Sequence, residues 1–202
     1  NMAPHNLSEV CDAICAYIDN PDITVDELMH FIKGPDFPTG GIIMGRQGIK
    51  DAFETGQGRI VIRSKTEIEV SESGRETIVV TEIPYMVNKR EMIEKIAELV
   101  ETKKIDGISY VNDETTRHGV RIIIRLKQGA NSSVVLNSLF KYSPLQSSFS
   151  VNNVALVNGR PYTLNLKDLI RNFVEHRHQV IVRRTKFDLK KAQARAHILE
   201  GL

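Results

Sequence analysis

The sequence predicts an α+β fold: a two-layer α/β sandwich from which one long C-terminal helix projects. Three features carry that expectation. Apolar residues recur with period two over residues 59–70 and 76–83, helical and strand spacing then alternate to residue 157, and residues 165–202 hold no proline and one glycine, Gly201. The 202 residues are 41% hydrophobic and 26% charged, an ordinary globular composition with ample material for a buried core. No apolar run reaches the roughly 18 to 20 residues of a membrane span, and no cationic start leads into an apolar signal segment. Cys11 and Cys15 cannot build a disulfide framework, so a reducing cytoplasm is the expected compartment.

Asn6 with Glu9 reads as a helix start with a capping box, and apolar residues follow at helical spacing from Leu7 to Ile18 until Asn20-Pro21 ends the run. Thr24 with Glu27 repeats the box and opens a short helix to about Lys33. Two prolines and three glycines make 34–41 a shaped loop. Ile42–Met44 is a short strand, and a short helix follows from Gly48 to Thr55. Ile60, Ile62 and Ser64 then alternate with Arg59, Val61, Arg63 and Lys65, and the alternation continues to Val70. Ser71–Gly74 turns the chain, and Glu76–Ile83 returns as a strand closed by Pro84. Asn88 with Glu91 starts a helix to about residue 103, on which Ile93, Ile96, Ala97 and Val100 share a face. Strands are expected over 108–111 and 120–126, and a helix over 132–142 with Val134, Val135, Leu139 and Phe140 as its apolar set. A last strand over 149–157 ends at Asn158-Gly159, a hairpin pair that tolerates positive φ.

From residue 76 the order is strand, helix, strand, strand, helix, strand. This is the βαββαβ arrangement of a ferredoxin-like sandwich, and the added hairpin at 58–70 extends its sheet. Residues 165–202, if helical throughout, reach about 57 Å. Their apolar positions, such as Leu169, Phe173, Val180, Phe187 and Ile198, are too sparse for burial all round, so the helix should project and pair with something outside the chain. The expected organisation is an N-terminal helical segment at 1–34, an α/β domain at 35–164 and the start of a long helix at 165–202. Both ends look like excision boundaries, as in a piece of a longer protein.

Net charge is only +2, but its distribution is uneven. Residues 1–34 carry one Lys against six acids, whereas 165–202 carry nine basic and four acidic groups. A basic tail suggests an anionic partner, and a solvated helix face gives the same count. Cys11 and Cys15 share a helix face among apolar neighbours and are expected to pack as small hydrophobes. His176 and His178, two apart on a helix, diverge, so no metal site is expected there. Gly45-Arg46-Gln47-Gly48 and Gly56-Gln57-Gly58-Arg59 lack the Gly-Lys-Ser/Thr of a nucleotide loop. Arg46, Arg59, Arg63 and Lys65 instead suit basic turns and a strand that meet a DNA backbone, although a sheet edge kept soluble by Lys and Arg has the same pattern. None of Tyr17, Tyr85, Tyr110, Tyr142 and Tyr162 has the basic company that activates a phenol, and no catalytic site emerges.

Longer motifs are more specific. Asn1-Met2-Ala3-Pro4-His5-Asn6-Leu7, Gly34-Pro35-Asp36-Phe37-Pro38-Thr39, Glu82-Ile83-Pro84-Tyr85, Ile93–Val100, Asn165-Leu166-Lys167-Asp168-Leu169 and Arg195–Glu200 together span the chain. In this order the sequence resembles the A subunits of bacterial DNA gyrase, with those of topoisomerase IV as near paralogues. The resemblance implies part of an ATP-dependent type IIA topoisomerase: the tower domain and the beginning of the coiled coil that leads to the exit gate. It implies double-stranded DNA as substrate, a homodimer of A subunits and a heterotetramer with two B-type ATPase subunits, which supply Mg²⁺ and ATP. The family's catalytic Arg-Tyr pair lies upstream of the position matching Asn1, so no catalytic residue is expected here. Met2 falls where the family usually has an isoleucine that wedges between base pairs, and an apolar, flexible Met can fill that role. The expected DNA-binding residues are therefore Met2, Arg46, Arg59, Arg63 and Lys65. A non-enzymatic nucleic-acid-binding module with a dimerising helix is the alternative. Against it, the strand Val120–Leu126 has no aromatic residue on which a base could stack.

Overall fold

A computed structural model describes all residues, 1–202. Helix α1 (Leu7–Asp19) begins where the Asn6 side chain accepts a hydrogen bond from the Glu9 N–H at 3.2 Å. Glu9 does not complete the box. Its carboxylate accepts from the Lys33 N–H at 3.3 Å and ties the helix start to the following loop. In α2 (Val25–Leu28) the Thr24–Glu27 box is complete. A short strand β1 (Ile42–Met44) leads into α3 (Gln47–Thr55) and β2 (Gln57–Arg63). The chain continues through β3 (Lys65–Val70), β4 (Glu76–Glu82), α4 (Lys89–Glu101), β5 (Ile108–Asp113), β6 (Ile122–Leu126), α5 (Ser132–Tyr142) and β7 (Gln146–Asn152). The hairpin of β8 (Val154–Val157) and β9 (Arg160–Thr163) follows, with Asn158 and Gly159 both at positive φ as that turn demands. Helix α6 (Leu166–Glu200), capped by Asn165, then runs 35 residues, about 52 Å at the standard rise.

The α+β class and the projecting helix are as the sequence predicts, but the strands are divided differently. They form a three-stranded sheet β1-β2-β7, a four-stranded sheet β3-β4-β6-β5 and the β8-β9 hairpin, with every pairing antiparallel. Beside β4, the place that a ferredoxin-like order gives to the last strand is held by β3. The short turn before Arg75 closes the β3-β4 pair locally, at small entropic cost. β7 instead pairs with β2 through seven residues. The single strand expected over 59–70 accordingly breaks at Ser64, where the chain passes from one sheet to the other. Ser64 is buried, and its N–H donates to the Leu145 carbonyl at 2.9 Å, beside the return crossing from α5 to β7. The strand expected over 149–157 also breaks, at buried Asn153, whose N–H donates to Gly56 and whose carbonyl accepts from Leu164.

Two cores result. One gathers Ala13, Leu28, Ile32, Phe53, Ile60, Ile62, Phe149 and Ile170, so residues from both ends of the chain share it. The other gathers Ile78, Val80, Met92, Ile96, Ile122, Ile124 and Leu139 between the four-stranded sheet and helices α4 and α5. On α4 the buried line is Met92, Ile96 and Leu99, one step around from the face expected, with Ile93 and Val100 at its margin.

Candidate nucleic-acid interface

Strand β2 alternates about its own axis. Ile60 and Ile62 enter the first core, and Arg59, Val61 and Arg63 face outward. Register places Arg59 opposite Ser150, Val61 opposite Ser148 and Arg63 between Gln146 and Ile42. The Arg59 Nε donates to Ser148 Oγ at 3.0 Å, and the Arg63 Nε donates to Gln146 Oε1 at 2.6 Å. The Arg63 guanidinium also lies 4.5 Å from the centre of the Phe140 ring. Neighbours thus hold both arginines, which lowers the entropy a ligand must take from them. The three strands Ile42–Met44, Gln57–Arg63 and Gln146–Asn152 contain no Asp or Glu. The other sheet is different in kind, for there Arg121 is shared between Glu69 at 3.3 Å and Glu114 at 3.5 Å.

Glycine brings the helix to this strand. A Cβ on Gly48 would collide with the Arg59 carbonyl, and one on Gly58 with the Gly48 carbonyl, so α3 lies on β2 closer than any larger residue allows. The two glycine-bounded motifs therefore pack against each other, and neither opens as a loop around phosphate. Their contact sets Arg46, the N-cap residue of α3, at the Arg59 end of the sheet. Met2 stands at that end as well. The Asn152 N–H donates to the Asn1 carbonyl at 2.9 Å, which lays the first residues along β7 and leaves Met2 50% exposed. Lys65 lies past the Ser64 break, on the first residue of the other sheet and across from Glu82. Four of the five expected residues thus gather on or around one sheet. From Gln57 to Arg63 the strand measures about 20 Å at the rise of an extended strand. Ser148 and Gln146, which orient the arginines, escaped the sequence reading. The alternation of Ser and Gln with Phe149 and Val151 marks β7 as a half-buried strand, but nothing local names β2 as its neighbour.

An apolar groove of about 370 Å³, lined in part by Met2 itself, opens between the N-terminal residues, α1 and the first turns of α6. His5, Val10, Cys11, Leu169 and Phe173 line it. The His5 Nδ1 donates to the Ala3 carbonyl at 2.8 Å, its Nε2 has no partner, and its ring lies 5.7 Å from that of Phe53. Burial pushes its pKa below the usual histidine value, against the raising pull of the Ala3 carbonyl and Glu9. Cys11 and Cys15 are exposed, contrary to the packing expected of them, because Ala13 takes the buried centre of α1 with Val10, Ile14 and Tyr17 around it. No three His, Cys, Asp or Glu side chains converge as metal ligands. No helix is long and apolar enough to cross a membrane.

Over its whole length, residues 1–202, the chain matches the family of DNA gyrase/topoisomerase IV A subunits, and it belongs to that family. It is 55% identical to the DNA gyrase A subunit of Clostridium acetobutylicum, 57% to that of Staphylococcus epidermidis and 56% to that of Pseudomonas aeruginosa. Each alignment takes in all of this chain and 22–24% of the relative, so the chain spans about a quarter of the length of these proteins.

Proposed function

We propose that these residues form the tower and the root of the coiled coil in the DNA breakage-reunion subunit of an ATP-dependent, gyrase-like type IIA topoisomerase. Their task is to support and bend the duplex that is cut, and to link it to the exit gate through α6. One observation carries this reading: the β1-β2-β7 face is free of carboxylates and set with held arginines, and the half-exposed Met2, which also lines the apolar groove, stands at one end of that sheet. Arg46, Arg59, Arg63 and Lys65 neutralise backbone phosphates, and Ser148 and Ser150 can donate to phosphate oxygens between them. Met2 enters a base step and unstacks it, a cost of a few kcal/mol offset by the contacts that the bend permits.

Mg²⁺ and ATP are assigned, as the family resemblance implies, to the partner subunits. Cleavage, metal and nucleotide are assigned to other parts of a cytoplasmic assembly of two such subunits with two B-type ATPase subunits. The test uses the intact protein with its partner and a duplex labelled at both ends for energy transfer. Met2→Ala should lower the transfer that reports the bend while leaving salt-sensitive binding in place. Unchanged bending would remove Met2 from the mechanism, and binding that survives high salt would remove the phosphate-contacting face.

A further inference from the structure

Beyond Arg46 the positive charge turns a corner. Lys33, Arg46 and Lys50 line a hollow of about 660 Å³ with Asp26, His30 and Ile49. Two contacts fix this grouping. The Lys50 N–H donates to the Arg46 carbonyl at 3.0 Å, which stacks the two side chains one helical turn apart. Gly34 packs on the Ile49 side chain, where an added Cβ would lie 2.9 Å from Cδ1, and so holds Lys33 against α3. The balance around them is partial, with Asp26 in the lining and Glu54 beside Lys50. Lys33 and Arg46 form no ion pair, Lys50 reaches only Glu54 at 3.9 Å, and the Asp26 carboxylate pairs with none of the three. Three like charges around one hollow repel one another and raise the local potential, and an anion relieves both.

We propose that the Lys33–Arg46–Lys50 hollow binds phosphodiester groups of the duplex, beyond the stretch seated on the β2 face. The proposal rests on the reading of that face as a DNA seat, with Arg46 common to both. The hollow is open and its cations come from two separate segments, which suits successive backbone phosphates better than one enclosed small anion. Lys33 and Lys50 thereby become contacts in addition to the five residues expected from the sequence.

The experiment compares Lys33→Ala/Lys50→Ala with Arg59→Ala in the intact protein, using linear duplex DNA. All three side chains reach the surface, and circular dichroism checks that the variants fold. Each phosphate contact contributes about 0.9 to the slope of log affinity against log salt, so the double variant should flatten the slope by roughly two for each subunit the duplex engages, about 3.6 where it spans both. In the unaltered protein, bound duplex should protect Lys33 and Lys50 from an amine-acylating reagent. If Arg59→Ala flattens the slope and the double variant does not, the hollow is not on the DNA path and the proposal fails while the face survives. If neither changes the slope, the reading of the face fails and takes the proposal with it. Protection by millimolar inorganic phosphate with an unchanged DNA slope would assign a free anion instead, and would also overturn it.

Discussion

His5 shows how a single ring can link pH to the placement of the proposed wedge. Its Nδ1 proton is committed to the Ala3 carbonyl and its Nε2 is a buried acceptor without a partner, so the native state holds the neutral imidazole. Burial lowers the folded pKa below the unfolded one. The unfolded chain therefore binds more protons below about pH 6.5, and stability falls as the pH drops from there toward the folded value. Above about pH 6.5 the full contribution is present. Thermal unfolding of the unaltered protein should shift downward between about pH 7 and pH 5, and His5→Phe should flatten that dependence. An equally steep profile in His5→Phe would assign the titration elsewhere. Asp113 cannot imitate the effect. A hydrogen bond from Thr115, with Lys89 at 2.9 Å, holds its carboxyl below the usual range, and its contribution is lost only at more acidic pH.

Among the elements, α6 divides most sharply into a packed root and a free arm. Leu166 and Ile170 are buried and Val174 rests against the first core, whereas Ile181, Phe187, Leu189 and Ile198 are more than half exposed. A chain ended after Arg184 should therefore keep its unfolding temperature within about 2 °C, the shift that a loss of less than about 1 kcal/mol produces in a chain of this size. A larger fall would mean that the arm packs on the body or on a second copy of the chain. The free arm was legible in the sequence because sparse apolar spacing without Pro or Gly is a local signal. The same holds for the caps at Asn6, Thr24 and Asn88, where a side chain meets a backbone three residues away. What the sequence could not disclose was non-local. Ser64 keeps the alternation of its neighbours, so nothing marked it as the passage between sheets. The partners of Arg59 and Arg63 lie 89 and 83 residues away. Arg46, Arg59 and Arg63 came together because β2 and its flanking turns are contiguous in the chain, whereas Met2 is brought to the sheet end by the pairing of Asn1 with Asn152 and Lys33 to Arg46 by packing.

At the scale of the whole molecule, two cores meet along a seam. The chain crosses it at Ser64 and near Leu145, and side chains bridge it. The Gly41 N–H donates to the Glu82 carboxylate at 3.0 Å, Arg63 lies over Phe140, and Tyr85 stacks on Phe37 at 5.1 Å with Phe149 at 5.7 Å. Tyr85 follows β4 of the second body but packs into the first, so its ring is a docking contact between them. Each aromatic pair adds about 0.5–1.5 kcal/mol beyond its buried area. Tyr85→Ala should thus cost roughly 2–3 kcal/mol, felt by the first core. Native-state hydrogen exchange reads the two bodies separately. Protection of the β2 amides should fall by about 30- to 160-fold, the equivalent of that loss, while the β6 amides change by less than about threefold. Equal losses in both strands would show one cooperative unit, with the seam as strong as the cores. Separate responses would show that the two bodies open independently, with Tyr85 as a docking contact between two cooperative units.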